Sequence, residues 1–405
     1  MSQGSAARVD ARRLGVLAVI AVLGALALHV GGARADGPGA GVPWVTTVGD
    51  SYISGEAGRW AGNSNQGSSW IDALGPTAYD DAGSGEAIAG CHRSRSAEVY
   101  LGGGVNGQNF ACSGAKTATS DGSSFKPGLD FYANGSKQGQ ALALQGFVAS
   151  HNVKMIGLSI GGNNFNFASI VQSCVQDWLL SPSWWKDYCN DDSSVTANFT
   201  AANIAAQTAA IKQSILNVRQ AMANAGYADS AYTILVQDYE SPLPRGSAIR
   251  YGESGYTRQN TGGCGFWNND ANWANDYALP TINNAVKNAA SQTGLSNVRI
   301  LELQSAFNGR RLCENTVGLL EEKGLTSWTQ AGAADRTEWI NQIRTVSTVF
   351  GPYQVQESLH PNYWGQLALR NCVRQAYNGG APRGGTCTIA GTGLTSRGEP
   401  NMSLL

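Results

Sequence analysis

Five short apolar runs rich in β-branched residues are spaced along the chain at Val45–Val48, Asn109–Cys112, Val153–Ile160, Tyr232–Gln237 and Val298–Leu303. Between and after them lie stretches with helical patterning: Gln140–Ser150, the Ala-rich Ile204–Asn224, Tyr277–Ser291 and Tyr363–Tyr377. Strands separated by helices build a parallel sheet covered on both faces. The expected fold class is therefore α/β, a three-layer α/β/α sandwich with loop-rich insertions. In such sheets, sites form outside the carboxyl ends of the strands.

The first 35 residues stand apart from that pattern. Arg8, Arg12 and Arg13 precede an apolar stretch from Leu14 to Val30, and Ala33-Arg34-Ala35 offers a small-x-small cleavage site before Asp36. This reads as a secretory signal peptide on the general secretory route, too short and too poorly flanked for a membrane anchor. The surroundings of Arg12-Arg13 match a twin-arginine signal weakly. Removing Arg8, Arg12, Arg13, Arg34 and Asp10 from a chain of formal charge −1 leaves about −4. That charge argues against nucleic acid and anionic membrane surfaces as partners.

All eight cysteines follow the leader: Cys91, Cys112, Cys174, Cys189, Cys264, Cys313, Cys372 and Cys387. An even number in an exported chain reads as a disulfide framework. Sequential pairing is the simplest arrangement, although sequence does not fix connectivity. There is no CxxC, and the histidines do not cluster with the cysteines, so zinc is disfavoured. Asn269-Asp270 and Asn275-Asp276 fit no EF-hand spacing. The GxGxxG string at Gly102–Gly107 precedes a strand rather than opening a helix, so it is no dinucleotide site. Neither a cofactor nor a metal is expected.

The chemistry begins at Gly49-Asp50-Ser51-Tyr52, directly after the first strand. A tight turn there presents a serine hydroxyl, which becomes a nucleophile once a base takes its proton. Such residues also make ordinary β-turns, so a base is needed. His29 leaves with the leader, and His92 and His151 read as surface or loop residues. His360 remains, in Glu357-Ser358-Leu359-His360-Pro361-Asn362 before the last helix, with Glu357 placed to orient its ring. Acyl transfer also needs donors for a developing oxyanion. Gly114 in Ala111–Ala115 and Asn163 in Gly161-Gly162-Asn163-Asn164 each follow a strand and suit that task.

Taken together, Gly-Asp-Ser, a glycine after the second strand, Gly-x-Asn and a carboxylate-x-x-His near the C-terminus resemble the SGNH (GDSL) hydrolases, in particular secreted actinobacterial members. The four blocks agree in order and location and span Gly49 to His360. The resemblance implies a flavodoxin-like sheet, Ser51 as nucleophile and His360 as base. It further implies an oxyanion hole from the Ser51 and Gly114 N–H groups and the Asn163 side chain. Two departures stand out. The third block ends in Asn164 where the family has Asp, and the acid position holds Glu357, one methylene longer than Asp. Some relatives use a backbone carbonyl in its place.

On this reading residues 36–378 form the hydrolase domain and 379–405 a Gly/Thr-rich tail. The expected activity is hydrolysis of carboxylic esters, lipid or short-acyl, by a secreted monomer without stable membrane insertion. Two rivals remain. Gly157-Leu158-Ser159-Ile160-Gly161 fits a nucleophile elbow, with Asp238 and His360 completing the order Ser, Asp, His; yet Gly161-Gly162-Asn163-Asn164 is a poor helix start. The tryptophans Trp178, Trp184, Trp185, Trp267 and Trp273 could instead line a sugar surface, as in a carbohydrate esterase or binding protein. They could equally pack around disulfides or line an acyl groove.

Overall fold

The computed structural model describes Met1, residues 38–344 and residues 355–405. The leader expected over residues 1–35 lies outside the described residues, Met1 aside. Residues 37–405 form one unit.

Strand β1 (Pro43–Gly49) carries β-branched Val45, Thr46, Thr47 and Val48, all buried. A strand covered on both faces reads as a continuous apolar run rather than an alternating one. A short helix α1 (Ser51–Ser54) follows at once. Next come β2 (Asn106–Asn109), α2 (Gln140–Val148), β3 (Asn152–Ser159), α3 (Phe167–Leu180) and α4 (Ala201–Asn224). Then follow β4 (Thr233–Gln237), α5 (Leu279–Gln292), β5 (Val298–Glu302), α6 (Tyr363–Tyr377), β6 (Gly385–Leu394) and β7 (Pro400–Leu404). The sheet order is β2-β1-β3-β4-β5-β6-β7. Every pairing is parallel except β6 with β7. Helices α2, α4 and α5 lie side by side, while α6 packs on β7. This is the expected three-layer sandwich with flavodoxin-like order in its first five strands.

Strand β2 starts three residues earlier than the apolar run suggested, yet its pairing continues beyond it. The Phe110 and Cys112 N–H groups donate to the Thr47 and Gly49 carbonyls at 2.8 and 3.0 Å. That pairing brings Ser113 and Gly114 level with the end of β1. The chain order reverses here: β2 lies on one side of β1 and β3 on the other. Such a switch point leaves a crevice at the carboxyl ends of the strands.

The stretch 379–405, read from composition as a tail, carries β6 and β7 and extends the sheet. The composition is rich in Gly but also in Thr, which suits a pleated surface. Cys387, Met402 and Leu404 are buried. A turn with Thr395 N–H bonded to the Glu399 carbonyl at 2.7 Å closes the hairpin. The cysteines pair sequentially: 91–112, 174–189, 264–313 and 372–387. The last of these fastens α6 to β6.

Candidate active site

The turn after β1 is fixed by close approach. Gly49 has φ +140°, and a Cβ there would lie 1.9 Å from the Ser159 carbonyl oxygen of β3. Only glycine accommodates this. The Asp50 N–H donates to that same carbonyl at 2.9 Å. Gln140 grips Gly49 from α2, accepting from its N–H at 2.7 Å and donating to its carbonyl at 2.8 Å. Asp50 then caps α1 by accepting from the Tyr52 N–H at 3.2 Å. Ser51 is thereby set at the first turn of α1, at the edge of the sheet.

His360 meets it from the other side of the crevice. Its Nε2 lies 2.7 Å from Ser51 Oγ, and its Nδ1 lies 2.9 Å from the Ser358 carbonyl oxygen. A carbonyl only accepts, so Nδ1 carries the proton and the Nε2 lone pair faces the serine. The loop is tightly determined. Leu359 adopts φ +60°, a costly conformation for a branched residue. It is held by Tyr52 Oη donating to its carbonyl at 3.0 Å and by its own N–H on the Asn341 carbonyl at 3.1 Å. Asn362 caps α6 through the Trp364 and Gly365 N–H groups, which fixes where the histidine loop ends. Burial holds the His360 pKa below 6.5, against the opposing pull of Glu56 and of the Ser358 carbonyl.

Glu357 does not reach His360. Its carboxylate accepts from Trp60 Nε1 at 2.9 Å and Tyr79 Oη at 2.5 Å, buried in the insertion Arg59–Ala97. The residue ends a 3₁₀ turn, Val355–Glu357, and the left-handed Leu359 then reverses the chain. The ring therefore receives the Ser358 carbonyl rather than the side chain three residues back. Ser159 does not reach His360 either. It ends β3, buried, with its carbonyl taken by Asp50, and a 3₁₀ turn at Gly162–Phe165 follows instead of an elbow helix. Asp238 accepts from the Leu303 N–H, away from the histidine.

Three donor-bearing residues line the same cavity as the Ser51–His360 pair: Ser51 itself, Gly114 and Asn163. Gly114, at φ +80°, follows Cys112, which the bond to Cys91 fixes beside β1. Among the described residues, neither the Ser51 nor the Gly114 N–H has a protein acceptor. Asn163 commits one amide hydrogen to the Ala115 carbonyl at 3.0 Å and keeps the other. Asn164 laces the same two turns together, accepting from the Thr117 N–H and donating to Thr117 Oγ1 and Gln207 Oε1. Ser51, Gly114, Asn163 and His360 line one cavity of about 800 Å³. Its far walls are apolar: Phe167, Val171, Val175 and Leu179 of α3 face Leu279 and Ile282 of α5.

Two features were not anticipated. Tyr239, just after β4, donates to Asp50 Oδ2 at 2.6 Å and accepts from the Gly162 N–H at 2.9 Å. It thus joins the serine turn to the asparagine turn. Burial pushes Asp50 up to about 7, opposed by the Tyr239 hydroxyl and the Tyr52 N–H. The strand-end rule pointed at this position, but nothing marked a tyrosine there. The second is His92, read as a loop residue and found buried. Its Nδ1 lies 2.7 Å from Glu56 Oε1, and Tyr79 stacks on its ring. Burial works against its charged form, yet Glu56 and Glu86 raise its pKa overall. Gln356 bridges Glu56 to Ser113 Oγ at 3.0 Å each. Among the described residues, no cluster of three or more His, Cys, Asp or Glu could hold a metal ion.

No family model and no curated protein matches the chain. Distant structural likenesses exist. An extracellular lipase from Streptomyces rimosus is 19% identical with a TM-score of 0.43, over 83% of this chain and 100% of that one. A phospholipase A1 from Streptomyces albidoflavus NA297 is 17% identical with a TM-score of 0.42, over 83% and 99%. A carbohydrate acetylesterase from Sinorhizobium meliloti is 11% identical with a TM-score of 0.29, over 69% and 92%. At this distance the chemistry has to be read from the chain's own residues.

Proposed function

We propose that the chain is an exported serine hydrolase that cleaves carboxylic esters through an acyl-enzyme on Ser51. The observation that carries this is the 2.7 Å contact between Ser51 Oγ and His360 Nε2, in a cavity with uncommitted donors and apolar far walls. His360 removes the hydroxyl proton as Ser51 attacks the acyl carbon. The Ser51 and Gly114 N–H groups and Asn163 Nδ2 receive the oxyanion, each such donor being worth about 10²–10³ in rate. The Ser358 carbonyl stabilises the imidazolium through Nδ1–H. His360 then returns the proton to the leaving alcohol and activates water to clear the acyl group. The acyl chain runs along α3, whose apolar face suits an aliphatic tail. Four disulfides accord with export to an oxidising compartment.

The test is hydrolysis of a chromogenic ester series from acetyl to palmitoyl. Ser51→Ala should lose activity by at least about 10³-fold, while Ser159→Ala stays within a few-fold of wild type. An active Ser51→Ala variant with a dead Ser159→Ala would overturn the assignment.

A further inference from the structure

Helix α3 walls the cavity through Leu179 and then ends. The next residues turn outward. Leu180, Trp184 and Trp185 are 84%, 81% and 74% exposed, three large apolar side chains within six positions. Two other tryptophans of the insertions are placed differently. Trp178 and Trp267 are buried against each other with ring centroids 4.1 Å apart. The exposed loop is nonetheless well anchored. Trp185 N–H bonds the Pro182 carbonyl at 2.9 Å, Lys186 Nζ pairs with Glu253 at 2.7 Å, and the bond between Cys174 and Cys189 closes the loop onto α3. Two tryptophans are thus held out in water by a braced loop continuous with the cavity wall.

We infer that Leu180, Trp184 and Trp185 form a docking tip that inserts into an electrically neutral lipid surface, bringing the cavity to the interface. The inference rests on the ester-hydrolase reading and narrows its substrate to esters presented in aggregated lipid. Tryptophan suits this task because its apolar ring and polar N–H match the boundary between acyl chains and headgroups. Charge selects the kind of surface. The tip is backed by Asp177, Asp187, Asp191 and Asp192, close enough that the last three help burial raise Asp177 to about 6. The one cation of the loop, Lys186, is already paired with Glu253. This rim repels anionic headgroups and leaves zwitterionic or uncharged lipid as the partner.

The experiment compares wild type with the Trp184→Ala/Trp185→Ala double variant. Sedimentation with phosphatidylcholine vesicles measures binding, and a water-soluble acetyl ester measures chemistry. Wild type should bind phosphatidylcholine vesicles more tightly than vesicles containing phosphatidylglycerol. The double variant should bind phosphatidylcholine at least about tenfold more weakly, with soluble-ester turnover and melting temperature unchanged. Equal vesicle binding by both proteins overturns the proposal. So does absence of wild-type vesicle binding, whether or not the protein is retained on insoluble acetylated polysaccharide. Wild-type turnover of the soluble ester separates the two readings: tryptophan-dependent binding with no ester turnover by wild type would reject the hydrolase assignment and leave the docking tip standing.

Discussion

His360 is oriented by a backbone carbonyl, and this changes what Glu357 is for. Its carboxylate is a buried acceptor for Trp60 and Tyr79, so it ties the insertion Arg59–Ala97 to the histidine loop. A carboxylate acting as the third triad member would cost about 10⁴ in kcat on amidation. Glu357→Gln should instead keep kcat on a soluble ester within about tenfold of wild type. It should lower stability by about 1–3 kcal/mol, the cost of disturbing buried hydrogen bonds, read as a drop in melting temperature. The acid limb of its pH–rate profile should not move. On the proposed mechanism that limb belongs to His360, whose base form is neutral. With its pKa held below 6.5 by burial, activity should persist under pH 6.5 and be lost as pH falls through the lowered value, as a pH–rate profile would read. The sequence marked Ser51 and His360 because Gly-Asp-Ser and the short supply of histidines are local facts. It misled at Glu357 because the left-handed turn at Leu359 is set by partners from distant segments, Tyr52 and Asn341.

At the scale of elements, three strand ends converge on the site and one side chain from a fourth ties them together. Tyr239 follows β4 and bonds both Asp50 and the Gly162 N–H. Loss of its hydroxyl would release the serine turn from the asparagine turn without touching the cavity's apolar wall. Tyr239→Phe should therefore lower kcat by roughly tenfold, the rate equivalent of one hydrogen bond, and leave KM nearly unchanged. A raised KM at constant kcat would mean that Tyr239 serves binding instead. The strands and helices themselves were largely legible, since β1, β3, β4, β5 and α6 coincide closely with runs of clear periodicity. Strands β6 and β7 were not. Their Gly- and Thr-rich segment has little apolar patterning, and it becomes sheet only because β5 offers an edge and α6 a surface to cover.

Over the whole molecule, two of the four disulfides brace segments next to the cavity and another ties a helix to the sheet. Cys91–Cys112 fixes the turn that carries Gly114, Cys174–Cys189 braces the loop after α3, and Cys372–Cys387 joins α6 to β6. Closing loops of this length contributes about 3 kcal/mol each on a chain-entropy view, which offsets part of the cost of ordering long, glycine-rich insertions. Sequential pairing was the simplest reading of the cysteine spacing, but the buried Glu56–His92 pair, linked through Gln356 to Ser113, left no such trace. Its members are 36 residues apart and meet only in the folded chain. The account as a whole stands on one activated side chain. The most direct test is to treat the protein with a fluorophosphonate and locate the adduct by peptide mass spectrometry. Stoichiometric modification of Ser51, abolished by His360→Ala, is the predicted result. An adduct on Ser159, or none on a folded protein, would contradict it.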